Sequence, residues 1–148
     1  GNRRVTSPEA LFEQADTISI HSPLNDSTRG AINRDLLGRM NDRAVVINTA
    51  RGPIVDLDAM YEALKAGRPA GAGLDVLPQE PADASHPLIK AYMNRESWLE
   101  GRLMLSPHAA FYSPPGLRDL RSKAVATAAG RVRDGSLRNC QNLAFLVD

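Results

Sequence analysis

Short apolar runs alternate with helix-like segments along the chain, and four runs carry a reactive residue at their end. Each run is short and rich in Val, Ile or Leu, and a helical pattern separates it from the next, which predicts parallel β-strands. The segments are Thr17–Leu24 with His21, Ala44–Gly52 with Arg51, Gly71–Val76 with Asp75, and Leu103–His108. Ligands of open parallel sheets bind beyond the carboxyl ends of the strands. The four residues therefore predict one side of an active-site crevice.

Helix signals lie between and around these strands. Short polar side chains that precede a helical apolar pattern are typical N-caps, and here they are Ser7, Asn33, Asp56 and Ser113. Gly67 is placed to end the helix that begins after Asp56, and Gly135 to end the helix that begins after Ser113. The apolar positions are Leu11, Phe12 and Ala15, then Leu36, Leu37 and Met40, then Met60 and Leu64, then a stripe of Leu117, Leu120, Ala124, Val125, Ala128 and Val132. A short helix over Pro87–Met93 is predicted within the irregular stretch 77–102, which Trp98 anchors to the domain.

Composition and charge limit the classes of function. A chain of 148 residues with 43% apolar and 24% charged residues predicts one soluble globular domain. The net charge of +1 favours neither nucleic acid nor an anionic membrane surface as a partner. No apolar run reaches the roughly 18 residues that span a bilayer, no secretory signal is visible, and no metal site is predicted. The single cysteine, Cys140, excludes an intramolecular disulfide and favours the cytoplasm.

Glu80 joins two of the strand-end residues in a set that suits reversible oxidation of a 2-hydroxy acid. The guanidinium of Arg51 can bind a carboxylate through two hydrogen bonds. The imidazole of His108 titrates in the range needed to exchange a proton with the substrate oxygen, and a carboxylate such as Glu80 can hold that ring. The reaction also needs a hydride carrier. These residue types alone fit other acid–base chemistry as well.

Each residue of this set also has a purely structural interpretation. Arg51 could be solvated or ion-paired, Asp75 could cap a turn, and Glu80 could be surface charge. His108 could be structural, and His21 could be a core histidine with satisfied hydrogen bonds. These explanations must hold separately for each residue, which weakens them as an account of the whole set.

Gly71-Ala72-Gly73 is not a dinucleotide-binding turn. Val76 stands where that motif needs a third glycine, and the run lies inside a predicted strand instead of between a strand and a helix. The sequence therefore contains no glycine loop that could cradle phosphates.

Four motifs together resemble the D-isomer-specific 2-hydroxyacid dehydrogenase family. They are Ala15–Leu24, Ile47–Asp56, Gly73–Val76 with Glu80-Pro81, and Ser106–Ala110, in the family's order. The resemblance implies an α/β fold, a Rossmann-type doubly wound parallel sheet that is incomplete at its N-terminal side. Residues 1–148 would be the C-terminal portion of an NAD-binding domain. It also implies an NAD-dependent oxidoreductase for small 2-hydroxy or 2-oxo acids, and a homodimer in the full-length protein.

The resemblance further assigns roles to individual residues. Arg51 would bind substrate, His108 would be the acid–base group, and Glu80 would be its partner. Asp75 matches the residue that holds the nicotinamide carboxamide. Besides Arg51 and His108, the residues that match the lining of the NAD site are Ser22, Pro23, Leu24, Asn25, Asp26, Ser27, Thr28, Thr49, Ala50, Ala109, Ala110 and Phe111.

Several parts of the family pattern have no counterpart in the sequence. The Gly-rich turn, its flanking strands and helix, and the substrate-binding domain are absent. A short strand near Arg4-Val5 is expected beyond the resulting gap, and the sheet edge beside Ile18 and Ile20 is expected to be unpaired. We therefore expect either a fragment of a larger gene product or missing strands that are supplied but not represented in this sequence. By itself the chain should bind NAD weakly or not at all, because the pyrophosphate lacks its helix N-terminus. The stretch between Glu80 and His108 is longer than the family's usual one.

Two segments resemble one branch of the family, the C-terminal-binding proteins, which are dehydrogenase-like transcriptional corepressors. They are Phe111–Ser113 and Ser136–Asn142. This likeness leaves an alternative open, a corepressor-like protein that senses NAD(H) and has little turnover. The corepressors keep the same Arg, Glu and His set, so the sequence alone does not separate the two.

Overall fold

A computed structural model describes residues 4–138, and the chain divides after Ala110 into two compact units. The first unit contains α1 (Pro8–Gln14), β1 (Thr17–Ile20), α2 (Arg34–Arg39), β2 (Val45–Asn48), α3 (Leu57–Lys65), β3 (Gly71–Leu74), α4 (Pro87–Met93) and β4 (Leu103–Leu105), and the second contains α5 (Pro114–Asp134). A 3₁₀ turn, Gly52–Ile54, follows β2. The sequence predicts a single domain. Among the described residues of the second unit only Gly130 is buried, so these residues form no core of their own.

The four strands form one parallel sheet in the order β1-β2-β3-β4, which confirms the predicted α/β class. Ile20 lies opposite Asn48, Asn48 opposite Leu74, and Leu74 opposite Leu105. The strands therefore end level with one another. The residues that follow them lie side by side along a single edge of the sheet.

The core lies between one face of the sheet and helices α1 to α4. Right-handed crossovers between adjacent parallel strands place successive helices on the same face, and each of these helices packs against the next. Ile18, Ile20 and Val46 of that face are buried in one cluster with helix residues such as Leu37 and Met60. The strand residues of the opposite face are more exposed, and Met104 is 72% exposed. Within the first unit, the helices thus cover only one face of the sheet, whereas a doubly wound sheet has helices on both faces.

The helix boundaries follow the predicted caps. The side chains of Ser7, Asn33, Asp56 and Ser113 accept hydrogen bonds from the amides of Ala10, Leu36, Ala59 and Gly116. Gly67 and Gly135 adopt the left-handed backbone conformation after α3 and α5. The helix over Pro87–Met93 is confirmed at both ends. Leu11, predicted on the buried face of α1, is 40% exposed, and Phe12 alone is buried in that helix.

One edge of the sheet is open. Among residues 4–138, β1 pairs only with β2, and the alternation of a parallel ladder turns the amides and carbonyls of Thr17 and Ser19 to the open side. The predicted strand near Arg4-Val5 is wrong, because neither residue belongs to the sheet. With two strands missing between it and β1, a strand at this position has no neighbour with which to form a ladder.

The apolar stripe of α5 is not buried. Leu120, Val125 and Val132 are between 66% and 89% exposed, and α5 is the only helix or strand among the described residues of the second unit. In the first unit, Trp98 packs edge-on against Tyr61 of α3 with ring centroids 5.9 Å apart, which confirms its predicted anchoring role.

No described helix combines the length and the apolar character needed to cross a membrane. Cys140 and residues 139–142 of the corepressor-like motif lie outside the described residues.

Candidate active site

His108 and Glu80 form a contact at the carboxyl edge of the sheet. Nδ1 of His108 lies 2.7 Å from Oε2 of Glu80, and the other carboxylate oxygen, Oε1, accepts a hydrogen bond from the amide of Leu77 at 3.0 Å. Both side chains are about two-fifths exposed, at 44% and 40%. The hydrogen bond with His108 and that from the Leu77 amide hold the pKa of Glu80 below its usual value. Glu80 is therefore an anion set beside the imidazole, as the sequence predicts.

The backbone of His108 adopts a conformation that few side chains tolerate. Its φ angle is +52°, in the left-handed region. The His108 amide donates hydrogen bonds to the carbonyl of Asp75 at 2.8 Å and to that of Ser106 at 3.0 Å. Strained backbone of this kind persists where its surroundings over-determine it, and it occurs preferentially at functional sites.

Asp75 holds the turn that carries His108. Its buried carboxylate accepts hydrogen bonds from the hydroxyl of Ser106 and from the amides of Ala109 and Ala110, the latter two at 2.9 Å. Burial opposes ionisation of this carboxyl, but the three hydrogen bonds outweigh it and hold the pKa of Asp75 below its usual value. The turn-capping interpretation is thus confirmed, and the predicted contact with nicotinamide stays a prediction.

Arg51 is exposed and follows β2, which lies next to β3, the strand that Asp75 follows. Its guanidinium donates a hydrogen bond to the carbonyl of Ala50 at 2.7 Å. The turn that carries it is held by Asn48, a residue that the sequence analysis missed. Asn48 is the polar residue on the buried side of β2 and is fully buried, at 0% exposure. A polar side chain in the buried register of an apolar strand is the signal that could have identified it.

The loops after β2 and β3 touch backbone to backbone. A Cβ atom added to Gly52 would lie 2.0 Å from the main-chain carbon and oxygen of Leu77, and 2.5 Å from the nitrogen of Pro78. Only glycine permits this approach. The loop that carries Arg51 is therefore packed directly against the loop that carries Glu80.

A cavity of about 420 Å³ opens beside the His108 and Glu80 pair. Its walls come from the loops that follow β3 and β4, and its lining residues are Asp75, Leu77, Glu80, Pro81, Ala82, Leu105, Ser106, Pro107 and His108. Arg51 does not line it. The structure thus brings two of the three predicted catalytic residues into contact and places the third at the end of the adjacent strand.

The segment predicted to line the NAD site, Ser22 to Thr28, forms a compact polar turn after β1. The side-chain oxygen of Asn25 accepts hydrogen bonds from the amides of Ser27 and Thr28, and the Thr28 hydroxyl donates to the carbonyl of Pro23 at 2.7 Å. Leu24 packs on the core, whereas Asp26 is exposed. The turn borders a cavity of about 770 Å³ beside the open edge of β1, where Ser22, Ser27 and Thr28 are among the lining residues.

The remaining residues predicted to contact NAD fall into both units. Thr49 is exposed and Ala50 half-buried in the turn after β2, while Ala109 and Ala110 are exposed beside His108. Phe111 belongs to the second unit, where its ring packs edge-on against Tyr112 at 6.4 Å. The role of each of these residues toward NAD stays a prediction.

His21 follows β1 at the same edge of the sheet as the other strand-end residues. It is exposed, and its Nε2 lies 2.8 Å from the hydroxyl of Ser19, so its interpretation as a core histidine is wrong. Within residues 4–138, no group of three His, Cys, Asp or Glu side chains could hold a metal ion.

The described residues fit one end of a dinucleotide. The cavity beside His108 and Glu80 suits the reacting end, since it combines an acid–base pair with apolar walls. In the described part of the chain, no Gly-rich turn joins a strand to a helix. Gly71 and Gly73 lie within β3, where a Cβ on Gly71 would meet the carbonyl oxygen of Arg102 at 2.8 Å. Gly71 thus permits a close approach of the Arg102 main chain, and neither glycine lies in a turn that could cradle phosphate.

Comparison with known proteins agrees with this geometry. Residues 1–110 match the family described as D-isomer specific 2-hydroxyacid dehydrogenase, NAD binding domain. A glyoxylate reductase of Thermofilum pendens is 43% identical over 109 residues, which cover 74% of this chain and 30% of the relative. The chain thus spans about a third of the length of that relative.

Solved structures share the fold. A glyoxylate reductase from Paecilomyes thermophila superposes with a TM-score of 0.77 at 30% identity, over 90% of this chain and 38% of that one. A D-lactate dehydrogenase from Aquifex aeolicus, complexed with NAD and lactic acid, gives a TM-score of 0.71 at 31% identity, over 88% of this chain and 41% of that one.

The family match ends where the first compact unit ends, at residue 110. None of these relatives is named as a corepressor, so the likeness to that branch stays a prediction. The motifs, the parallel sheet and the paired His108 and Glu80 all lie in the matched part. The chain therefore belongs to the D-isomer-specific 2-hydroxyacid dehydrogenase family, with its NAD-binding domain represented by residues 1–110.

Proposed function

We propose that this chain is the reacting half of the NAD-binding domain of a D-2-hydroxyacid dehydrogenase, which interconverts a 2-oxo acid and a D-2-hydroxy acid. The observation that carries the proposal is the 2.7 Å contact between His108 and Glu80 at the carboxyl edge of the sheet. The similarity to glyoxylate reductases and to a D-lactate dehydrogenase complexed with lactic acid supports a small 2-hydroxy or 2-oxo acid as substrate.

Each residue of the set has a defined task in this reaction. NAD, when bound, supplies or takes up the hydride at C2 of the substrate. In the direction of reduction, the imidazolium of His108 donates a proton to the oxygen at C2, and in the reverse direction the imidazole removes it. Glu80 engages Nδ1, which orients the ring and directs proton exchange through Nε2. The anionic carboxylate also stabilises the imidazolium form.

Arg51 is proposed to bind the substrate carboxylate. Its guanidinium presents parallel N–H donors that match two carboxylate oxygens. The level ends of β2 and β3 and the contact of Gly52 with Leu77 support a location of Arg51 near the proton-transfer pair. Asp75 and the residues of the turns after β1, β2 and β4 are proposed to contact the nicotinamide half of NAD.

We further propose that the phosphate-binding part comes from a segment that pairs with the open edge of β1. That segment would fill the cavity of about 770 Å³ and pair with the main-chain groups of Thr17 and Ser19. A homodimer in the cytoplasm is the proposed state of the full-length protein. The single cysteine of this chain supports a reducing compartment.

Steady-state turnover of the full-length gene product tests the proposal. NADH oxidation is followed with glyoxylate, hydroxypyruvate and phenylpyruvate. The key variant is His108→Asn, because asparagine tolerates the left-handed backbone of this position. We expect kcat to fall about 100- to 10,000-fold, the usual contribution of a positioned general acid.

His86→Asn is the matched control. His86 caps α4 by accepting a hydrogen bond from the amide of Leu88, and asparagine is an equally good N-cap. This variant should keep wild-type turnover. A wild-type protein that oxidises NADH with none of the 2-oxo acids would contradict the proposal and favour the cofactor-sensing alternative.

A further inference from the structure

Asn48 is a buried polar side chain that the proposed chemistry leaves without a task. Among residues 4–138, Asn48 and Asp75 are the buried polar or charged residues. Burial of an amide costs free energy unless its hydrogen bonds are made. The partners of Asn48 therefore show what the residue does.

Besides the bonds of the strand ladder, hydrogen bonds from Asn48 at the end of β2 run to two different loops. Its side-chain oxygen accepts from the amide of Ala50, and its side-chain nitrogen donates to the carbonyl of Arg51, both at 3.0 Å. Its main-chain carbonyl accepts from the amide of Asp75, also at 3.0 Å. The side chain thus holds the turn of Arg51, while the main chain holds the strand end from which the turn of His108 is built.

We propose that Asn48 is a positioning residue for Arg51, a role that rests on the proposed function. The Arg51 side chain is exposed, and no ion pair with an acidic side chain is found for it within residues 4–138, so its direction depends on its backbone. The side-chain amide of Asn48 fixes that backbone from the strand side. On the other side, the packing of Gly52 on Leu77 restricts the movement of the Arg51 backbone.

The two functions of Asn48 are separable by mutation. A change of side chain removes the hold on Arg51 but leaves the main-chain carbonyl that receives the Asp75 amide. The contact between His108 and Glu80 does not involve the Asn48 side chain. Substrate binding should therefore change while the proton-transfer step is preserved.

Asn48→Asp in the full-length gene product is the principal test. The new carboxylate can still accept from the Ala50 amide, but it opposes the carbonyl of Arg51 where the amide donated. We expect the KM for the 2-oxo acid to rise between about tenfold and about 100-fold, the cost of misplacing a substrate-binding group. The KM for NADH and the pH profile of kcat should stay as in the wild type. If Asn48→Asp does not fold, Asn48→Ser replaces it, because the serine hydroxyl cannot reach both partners.

Val46→Ala is the matched control for a structural effect. Val46 is equally buried in the same strand and makes no side-chain hydrogen bond. It should lower the Tm without raising the KM for the 2-oxo acid. An equal rise of that KM in Val46→Ala, or an altered pH profile in Asn48→Asp, would overturn the proposal.

A double-mutant cycle with Arg51→Ala shows whether Asn48 acts through Arg51. In the Arg51→Ala background the change at position 48 should add less than about twofold to KM, because the coupled effects are not additive. Fully additive effects would contradict the role. A wild type without turnover would contradict the proposed function instead.

If the wild type shows no turnover, nuclear magnetic resonance of the 148-residue chain tests the positioning role of Asn48 independently of the proposed function. Asn48→Asp should shift the backbone signals of residues 50–52 and leave those of residues 106–110 in place. Unchanged signals at residues 50–52 would contradict the positioning role.

Discussion

The imidazole of His108 and the carboxylate of Glu80 are 28 positions apart in the sequence, yet they meet at 2.7 Å. Two tight turns make the contact. Glu80 is held by the amide of Leu77 after β3, and the His108 amide is held by the carbonyl of Asp75 after β4. The acid–base pair is thus assembled by main-chain hydrogen bonds from adjacent strands before any substrate binds.

Glu80→Gln should remove a pH-dependent contribution to stability. The folded-state pKa of Glu80 is lowered, so its contribution is present above the usual glutamate pKa of about 4.3 and is lost as the pH falls through the lowered value. At pH 6 we expect the wild type to be more stable than the variant by less than about 1 kcal/mol, because both side chains are substantially exposed.

Urea unfolding of the chain from about pH 6 to about pH 3 measures this difference. Glu100→Gln is the control, since Glu100 is exposed and has no side-chain partner among the described residues. If the difference in free energy of unfolding between the wild type and Glu80→Gln grows as the pH falls, Glu80 does not have the lowered pKa described above.

Asp75→Asn should loosen the turn that carries His108. An amide presents one acceptor oxygen where the carboxylate presents two, and three donors depend on them. We expect the free energy of unfolding to fall by about 1–3 kcal/mol, the cost of losing hydrogen bonds to a buried charged group. Amide exchange of Ala109 and Ala110 should accelerate as well.

Asp83→Asn is the matched control for this change. Asp83 is exposed and accepts hydrogen bonds from the amide and hydroxyl of Ser85, so its replacement should cost less than about 1 kcal/mol. Equal losses of stability in the two variants would show that the Asp75 carboxylate has no special role.

Gly52→Ala should be far more damaging than an ordinary glycine substitution. The added Cβ would meet the main chain of Leu77 at 2.0 Å, so one of the two loops must move. We expect a loss of more than about 3 kcal/mol, at the upper end of overpacking effects. Thermal unfolding of the variant checks this.

Gly38→Ala is the control for that experiment. Gly38 lies in α2 with open space around its Cβ direction, so alanine there should raise stability by about 0.5–1 kcal/mol. If both alanine variants keep the wild-type Tm, the close approach of the two loops is wrong.

The 148-residue chain by itself should bind NAD weakly. The described residues are proposed to contact the reacting end of the cofactor, but they include no Gly-rich turn that leads into a helix N-terminus for its pyrophosphate. Calorimetry should give a Kd weaker than about 1 mM, which corresponds to a binding free energy of less than about 4.1 kcal/mol in magnitude. A Kd in the micromolar range would show that the chain holds the pyrophosphate by another route.

Local chemistry made much of the fold predictable. Short polar caps at Ser7 and Asn33, together with the apolar runs of β1 to β4, identify where elements begin and end, because those signals act within a few residues. The exposed stripe of α5 was not predictable in the same way, since periodicity shows where apolar residues lie on a helix and not what covers them.

The site was predictable as a set of residues and less so as a geometry. His108 and Glu80 were identified by their chemistry and position after strands. The left-handed backbone of His108 and the contact of Gly52 with Leu77 arise from segments distant in the sequence, so no local pattern announces them. Asn48 was missed because a single amide in an apolar run reads as part of the strand.

The junction between Gly52 and Leu77 also governs where this protein tolerates changes in length. Because the loops after β2 and β3 touch through their main chains, an inserted or deleted residue in one would displace the other, and with it Arg51 or Glu80. Beyond Pro81, α4 packs on the core through Leu88 and Ala91, whereas the short segment 83–85 before it is exposed. Engineering that adds a tag, a label or a new binding loop should therefore be directed there, away from the joined turns.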